Sequence, residues 1–313
     1  MRVLFIFLDG IGLGENNQGI NPFANAKMPN LNALLDGRSL LNESAPFHGE
    51  LASLVAIDPN MGVDGLPQSA TGQAMLLTGK NISAEIGYHY GPKPNPEVAA
   101  YLNDDSLFSR FTKAGKKSAL LNAYPPRYFE GIDSGKRLYS SIPLAVTNAG
   151  LELFTQEDFI AGRALSADFT GDGWRTMLGL SDAPVMNAHE AGRKLVSLAI
   201  EYDFSLFEYW ASDYAGHKQQ METAVGLMET FDSVLGGLVE EMVDERGKMK
   251  DELLVVVTSD HGNMEDLSTR KHTDANVPAL VIGEKNARAE FTRGMTEITD
   301  IAPAIWKTIA NPD

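Results

Sequence analysis

Seven residues from four separated parts of a 313-residue chain have the types that metal-assisted chemistry requires: Asp9, Ser69, Asp213, His217, Asp260, His261 and His272. Carboxylate, hydroxyl and imidazole donors without any cysteine suit Zn or Mn, and Mg only where oxygen dominates the site. The set is large enough for two divalent metal ions. The absence of cysteine also excludes disulfides and thiolate ligands, and fits a reducing compartment.

Ser69 stands in PQSATGQAMLLTG, where Pro67 and the serine lead into a compact apolar run closed by Gly79. That pattern predicts a short helix with Ser69 at or near its N-cap. Capping is the ordinary role for such a serine. The same position suits a nucleophile that attacks phosphate, because free amides and the positive end of the helix dipole favour a developing anion. Thr71 is the competing hydroxyl.

The elements that must position these groups follow from hydrophobic patterning. Apolar runs at 3–8, 204–211 and 253–258 read as buried strands, and each is followed closely by an aspartate: Asp9, Asp213 and Asp260. Asp9 is trailed by Gly10, Gly12 and Gly14, whose spacing does not fit a dinucleotide fingerprint. Asp213 and His217 are four apart, so one helical turn puts both on one face. His272 precedes another apolar run at 277–282, so His261 and His272 are expected at one edge of one sheet, where open α/β sheets build their sites. A strand is expected at 51–57, helices at 29–35, 188–200, 218–243 and 299–309, and a helix followed by a strand within 106–122. The methionine and leucine stripe of 218–243 reads as packing. Residues 124–183 lack a sustained period and are taken as a small insertion or cap over the sheet edge, between core segments 1–123 and 184–313. Arg127, Arg163 and Arg175 within it are possible substrate contacts, although such residues are more often solvated or paired.

A net charge of −16 argues against a nucleic-acid or membrane partner, since both present anionic surfaces. The apolar N-terminal run is too short for a secretion signal or a membrane span, which gives the expectation of a cytoplasmic protein. These motifs carry no information on oligomeric state.

The sequence resembles the alkaline phosphatase superfamily of metalloenzymes, in particular the branch of cofactor-independent phosphoglycerate mutase and phosphopentomutase. The resemblance rests on Asp9 in FLDGIGLG, Ser69 in QSATGQ, Asp213 and His217 in SDYAGH, Asp260 and His261 in TSDHGNMED, and His272 in KHTDANVP. It implies an α/β fold with a doubly wound, mostly parallel sheet and helices on both faces. It also implies one metal held by Asp9, Ser69, Asp260 and His261, and another by Asp213, His217 and His272, with Ser69 as nucleophile. The implied activity is phosphoryl transfer, expected here as hydrolysis of a small phosphate ester through a phosphoseryl intermediate. Phosphomutase, phosphodiesterase or sulfatase activity, or a non-catalytic metal-binding role, are the alternatives. Gln73 departs from the histidine usual in the mutases, and the chain lacks the length for their large cap.

Overall fold

Alternation along β1 (Arg2–Leu8) divides the interior in two: Val3, Phe5 and Phe7 enter one core, and Leu4, Ile6 and Leu8 the other. The computed structural model describes residues 1–250 and 252–310. Its other strands are β2 (Phe47–His48), β3 (Ala52–Ile57), β4 (Ser118–Leu120), β5 (Phe204–Tyr209), β6 (Leu253–Thr258) and β7 (Val277–Ile282). They form a 7-stranded sheet in the order β2-β3-β7-β6-β1-β5-β4. The helices that cover it or carry site residues are α1 (Ser69–Thr78), α2 (Pro96–Asp104), α3 (Leu107–Lys113), α4 (Pro126–Asp133), α5 (Ser141–Asn148), α6 (Ala188–Ala199), α7 (Ala211–Lys218), α8 (Met221–Met242) and α9 (Ile301–Ala310). Helices α6 and α8 pack on the Leu4 face, while α1, α2, α3, α5 and α9 pack on the Phe5 face.

The α/β class with helices on both faces is as the motifs implied; within it the sheet is mixed. Strands β4, β5, β1 and β6 are parallel, whereas β7 runs antiparallel to β6, β3 to β7 and β2 to β3. The loop 259–276 contains no helix that would return the chain to the far edge, so β7 starts where β6 stops. His261 therefore follows the carboxyl end of one strand, and His272 precedes the amino end of the next, at one edge of the sheet.

Segment 124–183 continues past β4 at that side of the sheet. Ala123 N–H donates to Leu165 O at 2.8 Å and Tyr124 N–H to Phe154 O at 2.8 Å. Further along, Ser141 Oγ on α5 donates to Ala70 O at 2.9 Å, and Phe169 stacks on Phe207 with centroids 4.6 Å apart. The segment thus reaches both cores.

Glycines let α6 and α8 touch backbone to backbone. A Cβ at Gly237 would come 1.9 Å from His189 O, and one at Gly192 would come 2.0 Å from Val234 O. Gly237→Ala is expected to lower stability by about 1–3 kcal/mol through that clash. Gly226→Ala, on the same helix but facing open space, should raise it by about 0.5–1 kcal/mol. Thermal melts of the pair check this, and equal shifts would mean that α6 and α8 do not approach so closely.

Candidate metal centre

Each strand end delivers its ligand through a short, stitched loop. Asp9 follows β1 directly, with its N–H on Tyr209 O at 3.0 Å, and its carbonyl accepts from Ser212 Oγ at 2.6 Å. That second bond anchors the start of α7, which presents Asp213 and His217 one turn apart, with His217 Nε2 3.2 Å from Asp213 Oδ2. After β6, Ser259 Oγ accepts from Ile11 N–H at 2.9 Å and fixes the Asp260 loop against the Asp9 loop.

Ser69 is the first residue of α1 rather than its cap. Gln68 has the extended backbone of a cap residue (φ −134, ψ 147) and makes no side-chain cap bond. The Ser69 hydroxyl is left for His261, whose Nε2 lies 3.0 Å away. Thr71 does not share this position: its hydroxyl bonds Gln68 O at 3.1 Å and receives the Tyr90 N–H at 3.2 Å. Gln73 is buried, with an unpartnered Oε1.

The three imidazoles are oriented alike. Nδ1 of His217 meets Arg270 O at 2.7 Å, Nδ1 of His272 meets Pro67 O at 2.7 Å, and Nδ1 of His261 meets Gly262 O at 3.3 Å. A carbonyl can only accept, so each Nδ1 carries a proton, and burial keeps His261 and His272 neutral with a lone pair on Nε2, whereas the Asp213 carboxylate raises His217. Those Nε2 atoms face carboxylates: His261 lies 3.5 Å from Asp9 Oδ1 and 3.6 Å from Asp260 Oδ2, and His272 3.7 Å from Asp213 Oδ1. Asp9, Asp260 and His261 offer atoms within 4.8 Å of one another, and so do Asp213, His261 and His272. His261 belongs to both groups; His217 reaches Asp213 but joins neither.

The electrostatics fit a cation. Asp9 Oδ1 and Asp260 Oδ2 are buried without hydrogen-bond partners. Burial, then Asp260 and Asp213, push the Asp9 carboxyl well above its usual range, and burial followed by Asp213 does the same to Asp260. Burial, then the His272 ring stacked 3.7 Å away, lowers His261 to about 3, which keeps it neutral and able to ligate. Desolvated carboxylates beside neutral imidazole lone pairs are the donor set of a hard to borderline divalent ion.

Two supporting residues lie beyond the strand-end pattern. Glu265 Oε2 accepts from Gly12 N–H at 2.9 Å and Asn263 N–H at 2.8 Å, while its Oε1 accepts from Thr273 Oγ1. It ties together the loops that bear Asp9, His261 and His272, and it explains two glycines, since a Cβ would come 2.4 Å from Glu265 at both Gly12 and Gly262. Asn263 Nδ2 donates to Asp213 Oδ1 at 2.6 Å. Both stand in the GNMED stretch after His261, and a polar run that stays buried is the only signal the sequence offers. The arginines of 124–183 are otherwise engaged where partners exist: Arg163 pairs with Asp158 at 2.7 Å, and Arg175 Nε donates to Ala183 O at 2.6 Å.

Residues 175–312 match the sequence model of the Metalloenzyme superfamily. Over that stretch the chain is similar to the metalloenzyme superfamily. Over 135 residues it is 30% identical to the 2,3-bisphosphoglycerate-independent phosphoglycerate mutase of Desulforudis audaxviator, a match that covers 41% of this chain and 25% of that protein. The chain thus spans about a quarter of the length of the curated relatives it matches. As a whole fold it is similar to the PH0037 protein from Pyrococcus horikoshii (TM-score 0.56, 15% identity, 100% and 97% of the two chains). It is also similar to the alkaline phosphatase from the Antarctic bacterium TAB5 (TM-score 0.51, 13% identity, 99% and 98%). At such identities the likeness is one of fold. Among the described residues no helix is long and apolar enough to cross a membrane.

Two variants test this framework. Glu265→Ala leaves two buried amides unpaired and should cost on the order of 3 kcal/mol in urea unfolding of the metal-free protein; a neutral effect would remove Glu265 as the tie. Glu208, on β5, is raised to about 7 by burial, against which Lys93 acts. A raised carboxyl favours folding fully below its unfolded value near 4.5, and that contribution is lost as pH rises through about 7. Glu208→Gln should therefore gain on the order of 2 kcal/mol relative to the parent between pH 5 and pH 8. Parallel stability curves would contradict the raised value.

Proposed function

We propose that this protein is a two-metal phosphoryl-transfer enzyme that hydrolyses a small phosphate ester through a phosphoseryl intermediate on Ser69. The observation that carries the reading is the Ser69 hydroxyl at the tip of α1, 3.0 Å from His261 Nε2 and beside carboxylates that lack partners. Asp9, Ser69, Asp260 and His261 would hold one ion, and Asp213, His217 and His272 the other. The donor set suits Zn or Mn better than Mg. When bound, the ions would acidify the Ser69 hydroxyl and neutralise phosphoryl oxygens.

The chain's own groups supply the rest. Ser69 Oγ bonds to phosphorus as the ester P–O bond breaks; the serine proton passes to solvent, and the leaving oxygen takes one back. Attack by water on the phosphoserine then releases phosphate. The positive end of the α1 dipole would favour the anion, and the Nδ1 bonds to carbonyls turn Nε2 of His261 and of His272 toward the site.

Phosphomutase activity is the second reading, favoured by the names of the relatives. A mutase must shield its phosphoenzyme from water while the substrate reorients. Here His217 is about 40% exposed, and Trp210 and Tyr214 beside it are exposed. The connection from α1 to β4 is occupied by α2 and α3, whose Val98, Leu102, Phe108 and Phe111 are sunk in the core rather than forming a lid. These features favour hydrolysis.

Metal-stripped protein reconstituted with Mn or Zn is expected to release phosphate from an aryl phosphate, and Ser69→Ala to reduce this roughly a thousandfold or more. With 3-phosphoglycerate, an isomer without free phosphate would decide for the mutase. Undiminished turnover by Ser69→Ala would refute the phosphoseryl step.

A further inference from the structure

Lys93 lies on the loop that is buttoned to the nucleophile's helix. Thr71 N–H donates to Tyr90 O at 3.0 Å, and Tyr90 N–H donates back to Thr71 Oγ1 at 3.2 Å. Gly91 packs so closely that an added Cβ would stand 3.1 Å from Ser69 N. Two residues further on, within about 7 Å of chain, Lys93 is half-buried, and the charges of Glu208, Arg137 and Asp9 act on its ammonium. Among the described residues it makes no ion pair or hydrogen bond, so its ammonium is not committed to a structural partner.

Glu208 is the unusual neighbour. It occupies β5 next to the β1 strand that delivers Asp9, and it points into the Phe5 face, the side on which α1 lies. Its backbone is clamped by Asn122, whose Nδ2 donates to Glu208 O at 2.8 Å and whose Oδ1 accepts from Glu208 N–H at 2.7 Å. Its carboxylate has the Tyr124 hydroxyl at 3.5 Å as its side-chain bond. Beside it Tyr128, capped by Arg137 at 5.1 Å, keeps a buried hydroxyl without a partner. A buried carboxylate at this place serves no metal group identified above. Its charge is of the sign that would draw an ammonium toward β5.

We propose that Lys93 is a substrate-contacting cation that binds the phosphoryl oxygens beside Ser69, and that Glu208 is the positioning residue that holds its ammonium there. The inference rests on the phosphoryl-transfer reading of the site. The physical need is plain: a dianionic ester must approach a protein of net charge −16. A lysine on a four-carbon stem supplies a point charge that follows the phosphoryl group as the Oγ–P bond forms and the ester P–O bond breaks.

The test uses binding as well as turnover. Inorganic phosphate is titrated calorimetrically into Mn-loaded Ser69→Ala protein, with and without Lys93→Met, and kcat and KM for an aryl phosphate are measured in the Ser69 background. Loss of one charge-assisted contact predicts roughly ten- to a hundredfold weaker phosphate binding and a similar fall in kcat/KM. Lys93→Arg should recover part of both, and Glu208→Gln should give a smaller loss. The double variant Lys93→Met with Glu208→Gln removes the stranded carboxylate, so it reports on binding even where Lys93→Met alone folds poorly. Phosphate affinity unchanged in Lys93→Met and in the double variant, with Ser69-dependent turnover intact, overturns the proposal and leaves the phosphoryl-transfer reading standing. Lys93-dependent phosphate binding without Ser69-dependent turnover overturns that reading and keeps Lys93 as an anion-binding residue. Neither binding nor turnover overturns both.

Discussion

Carboxylates brought together out of water repel one another, and this fold holds Asp9, Asp213 and Asp260 in one largely buried corner. Among the described residues no lysine or arginine is ion-paired to any of them; the groups at hand are imidazoles, His261 and His272 with their lone pairs turned inward and His217 bonded to Asp213. Such an arrangement is unfavourable by itself and becomes favourable around a cation. The rest of the structure can be understood as what is needed to keep it in place.

That need is met by connections rather than by bulk. Two hydrophobic cores secure the sheet, but the site lies past the strand ends, where apolar packing stops. There Glu265 gathers the Asp9, His261 and His272 loops, Ser212 docks α7 on the Asp9 carbonyl, and Asn263 steadies Asp213. Glycines at 12 and 262 leave room for the glutamate, and Gly72 lets α1 approach Asp260, where an added Cβ would come 2.7 Å from the aspartate's own. A hydroxyl so placed is governed by the loop opposite, which is why Ser69 faces His261 instead of capping its helix.

The reversal of β7 gives the site its economy. A helical crossover after β6 would have put His272 at the far edge; a direct return keeps it stacked on His261. On the other side of β1, the parallel strand β5 carries Glu208 as well as the approach to Asp213. One sheet edge therefore holds the candidate ligands, and the strand beside β1 adds the buried Glu208.

Local chemistry made much of this legible. Apolar runs that stop at aspartate mark β1, β5 and β6, and the four-residue spacing of Asp213 and His217 marks a helical turn, because burial periodicity and side-chain reach act over a few residues. What lay beyond that range came only from the folded chain: the direction of β7, the sharing of His261 between two groups, the ties made by Glu265 and Asn263, and the burial of Glu208. Ser69 and His261 are 192 positions apart, and Gly12 and Glu265 are 253 apart. No local preference encodes contacts of that span. The sequence determined which donors stand at the sheet edge, and the tertiary structure decided which of them meet, since meeting depends on strand order and on loops whose bonds form only after the sheet is assembled.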